Sequence, residues 1–248
     1  MIDMHCHIVP FTDDGAIDND ASIEMGKLAM ECGYTDIICT SHYIIHDIEN
    51  NYSEYRDNVE KLNKLFEENG ITVKLHPGNE IFFTNDIVNL VKDKKVSSLN
   101  DTKYVLVEFP LFNNTLPMNA YDEFNALQDA GYTPILAHPE RYDFVSKGVE
   151  CLIPLVESGV LLQANIGSIN GKYGKHAQKN IKKMLKLNMV HFFGTDSHNT
   201  SVYEMQEKAL KKVKKIIKDE ELIEKIFVEN PQKVLNNEKI SIWYPKSK

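Results

Sequence analysis

Short apolar runs alternate with longer amphipathic stretches along the chain. Seven runs have the length and composition of strands: Met1–His5, Thr35–Thr40, Thr72–Leu75, Tyr104–Phe109, Thr133–Ala137, Val160–Ala164 and Val190–Gly194. Between them lie helical patterns over Ser22–Cys32, Glu54–Glu68, Asn85–Asp93, Ala120–Asp129, Gly148–Glu157 and His176–Leu187. A last helical region, Val202–Val228, is expected to break near Asp219. The periodicity is plain in Glu54–Glu68, where Tyr55, Val59, Leu62, Leu65 and Phe66 recur at spacings of three and four. Gly33, Gly70, Gly131 and Gly159 each follow such a stretch, as helix-terminating glycines do. Strand–helix alternation of this kind predicts a parallel α/β architecture.

The 248 residues suit one large domain, and no linker or composition shift divides them, so a single domain over 1–248 is expected. The chain is 42% hydrophobic and 26% charged, which excludes wholesale disorder or a fibre. No apolar run reaches the roughly 18 residues of a membrane span, so no membrane insertion is expected. The net charge of −8 argues against nucleic acid as the partner. Four cysteines without a C-x-x-C pair, and no basic, apolar leader, point to a reducing cytoplasm.

The chemistry lies at the strand ends. Each predicted strand runs into polar or ionisable residues: His5-Cys6-His7, Thr40-Ser41-His42, His76 through to Glu80, Glu108, His138-Pro139-Glu140-Arg141, Asn165, and Asp196-Ser197-His198. In α/β barrels that end builds the site. Five of the nine histidines (His5, His7, His42, His138 and His198) fall there. An H-x-H spacing in extended chain puts both imidazoles on one face and turns Cys6 to the other. A lone histidine at a strand end is more often structural, but so many imidazoles and carboxylates together need a cation to offset their desolvation and repulsion. They outnumber the ligands of one ion, which implies two or three divalent ions. A His/carboxylate set without thiolate suits manganese, iron(II), cobalt(II) or zinc. Two such ions about 3.5–4 Å apart are suited to phosphomonoester hydrolysis. Arg141 is one of only two arginines and stands three residues after His138, where its planar fork suits phosphate. Arg56 is expected on a solvated helix face. No arginine lies six residues after any cysteine, so cysteine-nucleophile phosphatase chemistry is absent. Tyr43, Phe82, Phe83, Phe112 and Tyr142 border the motifs and either line a slot for a phenyl ring or pack as core.

The set His5-x-His7, Asp14, Ser41-His42, Glu80, Glu108, His138 and Asp196-x-His198 resembles the polymerase-and-histidinol-phosphatase (PHP) superfamily. The segments MIDMHCHIVPFTDDG, GNEIFF, AHPERY, TDSHN and FVENPQKV are similar to its bacterial branch of manganese-dependent protein-tyrosine phosphatases of capsular and exopolysaccharide synthesis. The resemblance implies a distorted seven-stranded (β/α)7 barrel with metals at the C-terminal strand ends. It also implies manganese as the ion and a phosphotyrosine protein, a bacterial tyrosine kinase, as substrate. One metal would be held by His5, His7, Glu80 and Asp196. A second would share Glu80 and take Glu108 and His138, and a third would take Asp14, His42 and His198. Asp13 stands beside Asp14 as an alternative ligand. Arg141 would contact the phosphate, and His198 or Asp14 would be the general acid. The second arginine that the family tends to carry after Asp-x-His is missing from Asn199–Tyr203, which implies either a weaker grip on the substrate or a lysine or tyrosine in its place. Competing readings are a small-molecule phosphatase such as one for histidinol phosphate, an amidohydrolase or deoxyribonuclease barrel, and a non-enzymatic metal-binding module.

Overall fold

Ile2, Met4, Tyr104, Leu106, Ile135, Leu161 and Phe192 are the inward positions of period-two segments, and they meet in one buried cluster in the computed structural model. The structure describes residues 1–241 and 243. The remainder of the expected 1–248 domain lies outside the described residues.

The strands are β1 (Ile2–Cys6), β2 (Asp36–Cys39), β3 (His42–Tyr43), β4 (Lys74–Pro77), β5 (Glu80–Phe82), β6 (Tyr104–Glu108), β7 (Thr133–Ala137), β8 (Leu161–Asn165) and β9 (Phe192–Gly194). All ladders are parallel, in the orders β1-β2-β4 and β3-β5-β6-β7-β8-β9. The described strands number nine rather than the seven expected. The difference is local: Thr40-Ser41 interrupts β2 before β3, and Gly78-Asn79 interrupts β4 before β5. Asp196 N donates to His5 O (2.7 Å) and His7 N to Ser197 O (3.0 Å), so the segment after β9 returns to β1 and the sheet is curled.

The helices are α1 (Asn19–Glu31), α2 (Tyr52–Glu68), α3 (Ile87–Lys92), α4 (Ala120–Asp129), α5 (Ile153–Glu157), α6 (Gly174–Lys186), α7 (Gln206–Ile217), α8 (Glu220–Glu224) and α9 (Asn230–Leu235). Asp18 and Asn51 cap α1 and α2 by accepting from backbone N–H groups of the first turn. The helix expected over Gly148–Glu157 is a 3-10 turn at Val149–Leu152 followed by α5, with Pro154 in the first turn of α5. The break expected near Asp219 is present: Lys218 adopts φ 54° and Asp219 caps α8. Helix α9, which follows a π-helical turn at Lys225–Glu229, is not in the predicted pattern. Outward-facing Val105, Val107, Leu136 and Leu162 pack under the helices in a second cluster. No helix among the described residues is long and apolar enough to cross a membrane.

The inward alternation carries past the apolar layer to the carboxyl ends. Tyr104 and Leu106 lead to Glu108, Leu161 leads to Gln163 and Asn165, and Phe192 leads to Gly194 and then Asp196. In β1 the register shifts between Asp3 and Cys6. The Asp3 carboxylate fills the irregularity, accepting from His5 N (3.2 Å), Thr195 N (2.8 Å) and Thr195 Oγ1 (2.6 Å). Past this shift Cys6 packs outward against Ile8, Cys39 and Tyr203, and the imidazoles of His5 and His7 face the opposite way.

Candidate metal centre and active site

Six strand ends and one loop deliver the side chains. His5 is in β1, His42 opens β3, Glu80 opens β5 and Glu108 closes β6. His7 follows β1, His138 follows β7, and Asp196 and His198 follow β9. Asp14 comes from the loop before α1. The structure brings all nine expected ligands together in four overlapping groups: His7, Asp14, His42 and His198; His5, Glu80 and His138; His5, His7 and Asp196; and His42, Glu80 and Glu108. The Glu80 carboxylate is central. Its Oε2, buried without a hydrogen bond, lies 3.2 Å from His5 Nε2, 3.4 Å from His7 Nε2 and 3.1 Å from His42 Nδ1. Its Oε1 lies 2.8 Å from His138 Nε2.

The residues fit divalent cations, and the tautomers show it. Gln163 spends Nε2 on Ala164 O and Asn165 Oδ1, so its Oε1 accepts from His5 Nδ1 (2.9 Å). Asp13 Oδ2 accepts from His7 Nδ1 (2.8 Å). Both imidazoles therefore hold a proton on Nδ1, and their Nε2 lone pairs face each other at 3.0 Å. Only a shared positive charge makes that approach favourable.

Asp13 and Asp14, which the sequence left as alternatives, take different positions. Asp13 is turned inward behind His7 and also accepts from His42 N (2.8 Å) and Gly15 N (2.9 Å). Burial opposes its ionisation, but the His7 bond and charge dominate and hold its pKa at about 2. Asp14 points at the cluster, with Oδ1 3.3 Å from His198 Nε2 and 3.6 Å from His42 Nε2, and its side chain is 69% exposed. Burial and then the negative charges of Glu80 and Asp196 push Glu108 up to about 9. Burial, followed by Arg141, brings His138 down to about 4.

Arg141 donates from Nη1 to Asp196 Oδ2 (2.5 Å), and its guanidinium carbon lies 4.2 Å from the centre of the Tyr173 ring. It lines a cleft of about 500 Å³ with Asp14, His42, Glu80, Glu108, His138, Asp196 and His198. The apolar wall is Ile44, Ile48, Phe82, Leu111 and Phe112. Of the five aromatics weighed from sequence, Phe82 and Phe112 are in this wall. Tyr43 is buried, Phe83 packs on Phe109 and Phe124, and Tyr142 donates to Ala137 O and accepts from Phe109 N. Arg56 is partly exposed and pairs with Asp101. Gln163 and Tyr173 fall outside the strand-end residues of the sequence, and Asn165 stands among them without an assigned role. The inward alternation of β8 puts Gln163 on the same face as Asn165.

A curled parallel α/β sheet with imidazoles and carboxylates at its C-terminal mouth defines a metallohydrolase-like class of protein. The chain belongs to the capsular polysaccharide synthesis CpsB/CapC family, which it matches over residues 1–236. It is 37% identical over 199 residues to the tyrosine-protein phosphatase YwqE of Bacillus subtilis (strain 168), covering 80% of this chain and 78% of that protein. It is 31% identical to the putative tyrosine-protein phosphatase CapC of Staphylococcus aureus, covering 99% and 95%. A chain from the crystal structures of YwqE from Bacillus subtilis and CpsB from Streptococcus pneumoniae, described as unique metal-dependent tyrosine phosphatases, superposes with a TM-score of 0.92 at 33% identity over 100% of both chains.

Proposed function

We propose that this chain is a metal-dependent tyrosine-protein phosphatase that removes phosphate from a bacterial tyrosine kinase of capsule assembly. The observation that carries the reading is the buried Glu80 carboxylate ringed by four imidazole nitrogens, beside an arginine in an open cleft. His5, His7, Glu80 and Asp196 would hold one ion, Glu80, Glu108 and His138 a second, and Asp14, His42 and His198 a third, with manganese as the native metal. Such ions supply Lewis acidity for phosphate oxygens and acidify an attacking water.

The chain's own groups do the rest. Arg141, steadied on the Tyr173 ring, presents its remaining N–H groups to the phosphate. Ile44, Ile48, Phe82 and Phe112 take the phenyl ring and exclude water from it. His198 or Asp14, at the cleft rim, would pass on the proton that the tyrosyl oxygen takes up on leaving. A phenol with pKa near 10 needs less of that help than an alkyl alcohol. Lys172 and Tyr173, next to Arg141, take the place of the second phosphate-binding arginine. If β2 with β3 and β4 with β5 count as interrupted strands, the fold is a distorted seven-stranded barrel in one domain, working in the cytoplasm. The histidinol phosphate phosphatase of Lactococcus lactis subsp. lactis shares this fold with a TM-score of 0.53.

Metal-stripped protein titrated with manganese, cobalt, zinc and magnesium tests the reading on a phosphotyrosine peptide beside histidinol phosphate. Peptide turnover restored by metal, and abolished in His42→Ala and His138→Ala, is expected. Turnover of histidinol phosphate alone, or activity retained in both variants, refutes it.

A further inference from the structure

The chain's net charge is −8, yet residues 172–218 hold twelve lysines against three acidic residues. Helix α6 buries Ala177, Ile181, Met184 and Leu185 and turns Lys175, Lys179, Lys182 and Lys186 outward, at spacings that align them on one face. Helix α7 packs beside α6 and carries Lys208, Lys212 and Lys215 in a second line. Lys183 pairs with Glu150 and Lys211 with Glu207. Among the described residues, Lys175, Lys179, Lys182, Lys186, Lys208 and Lys215 make no ion pair. The two lines are close enough to repel: partial burial first, then Lys208 and Lys182, lower the Lys212 pKa.

The basic face begins at the cleft. Tyr173, immediately before α6, carries the Arg141 guanidinium on its ring and has its hydroxyl 3.3 Å from Asp196 Oδ2. Lys212 Nζ donates to Asn170 Oδ1 (2.8 Å), which ties α7 to the turn after β8. From Lys175 to Lys186 the line runs roughly 16 Å, the length of about five extended residues.

We propose that this face docks the acidic stretch of the substrate protein that flanks its phosphotyrosine. The inference rests on the phosphatase reading and adds the partner's chemistry to it. A polyanionic segment is repelled by the rest of an acidic chain and attracted here, so the face both selects the substrate and orients it toward Arg141.

The test uses manganese-loaded protein and two phosphotyrosine peptides, one with four glutamates placed roughly three to six positions from the phosphotyrosine, the other with four glutamines. Para-nitrophenyl phosphate serves as the small probe. The glutamate peptide is expected to show a KM about tenfold lower at low salt, a preference lost in high salt. The preference also disappears in K179E/K182E and in K208E/K215E, while kcat and turnover of the small probe stay unchanged. Equal KM values in the unaltered chain, or a preference that survives in both variants, overturns the proposal. So does sedimentation with phosphatidylglycerol vesicles that the variants lose while no peptide preference exists, which would give the face to a membrane. Anisotropy with a fluorescent glutamate peptide lacking phosphate reads docking without turnover. Docking without phosphotyrosine hydrolysis would sink the phosphatase reading alone, and hydrolysis without docking would sink this one.

Discussion

Asp13 and Asp14 are neighbours in sequence that face in opposite directions, and substituting each by asparagine tests the separate tasks proposed for them. Both Asp13 oxygens face donors: Oδ2 meets His7 Nδ1 and His42 N, and Oδ1 meets Gly15 N. An asparagine has one acceptor oxygen, so its NH2 group must oppose at least one of those N–H groups. Leaving a buried donor unsatisfied costs about 1–3 kcal/mol. The ionisation of Asp13 gives a similar figure. Its pKa is about 2 when folded against an ordinary 3.8, which corresponds to roughly 2 kcal/mol of stability. That stability is present above about pH 4 and lost as pH falls toward 2. Asp13→Asn also frees the His7 tautomer, and losing such a partner weakens metal binding about 10–100-fold. Asp14 is largely exposed, so Asp14→Asn should move stability by less than about 0.5 kcal/mol while removing a side chain aimed at the cluster. The assays are chemical denaturation in the presence of EDTA and manganese titration of phosphotyrosine-peptide turnover. Asp13→Asn is expected to lose stability and to need more manganese for the same maximal rate. Asp14→Asn is expected to stay stable and turn over slowly. An Asp13→Asn protein with wild-type stability and metal requirement would refute the assignment.

Gly194→Ala should destabilise the fold by about 2–3 kcal/mol in urea, because an added Cβ would lie 2.5 Å from His5 Cβ, 2.7 Å from Gln163 Nε2 and 3.1 Å from His5 N; an unchanged midpoint would mean that β1 and β9 are looser than described. His191 is buried and its pKa is brought down to about 3 by that burial, so the unfolded chain takes up its proton first as pH falls below about 6.5. Between pH 7 and pH 5 it should withdraw roughly 2 kcal/mol of stability, a loss His191→Gln removes; identical pH slopes for the two proteins would count against it. Asp3 and Glu140, raised by burial to about 6 and about 7, act with the opposite sign and are common to both proteins. Arg141→Lys keeps the charge but loses the fork and the stacking on Tyr173, so kcat/KM on a phosphotyrosine peptide should fall by about 100-fold with the metal titration unchanged; full activity would exclude Arg141 from phosphate contact.

The legible part of the fold is the part governed by period two. Tyr104, Leu106 and Glu108 alternate without interruption, and β6 and β7 lie within a residue of the predicted runs. Strands β3 and β5 were not legible because they are two and three residues long and open on His42 and Glu80, which look like loop chemistry without their partners. Both owe their strand character to neighbours distant in sequence, with His42 paired to Glu80 and Ile81 to Val107. The imidazoles and acids of the site were legible because their residue types are costly to bury without a cation. Gln163 was not: the alternation of β8 turns it inward, but burying an amide does not call for a cation, and its part shows only when Oε1 is seen on His5 Nδ1. The aromatics were ambiguous for the same reason that Tyr142 proved to be core: packing and ligand contact use the same side chains, and only the Phe109 N and Ala137 O bonds distinguish them.

The costs of this fold gather at one end of the sheet. His138 and Asp196, at the ends of β7 and β9, hold φ of 30° and 49°, a conformation that costs a non-glycine residue about 1–3 kcal/mol. Glu108 stands at the same mouth with a pKa of about 9, and Glu80 and Asp196 are buried among imidazoles. At the opposite end Ile2, Met4, Leu106, Ile135, Leu161 and Phe192 fill the curl, each contributing about 1.5–3 kcal/mol by burial. The same strands run through both layers. The apolar layer fixes the register, and the register carries Glu108, Gln163 and Asp196 to their stations against the strain and repulsion they meet there. Gly194 makes the junction between the layers: its bare Cα lets β9 approach His5 closely enough for Asp196 N to reach His5 O, and a side chain at that point would separate the first and last strands on which the cluster depends.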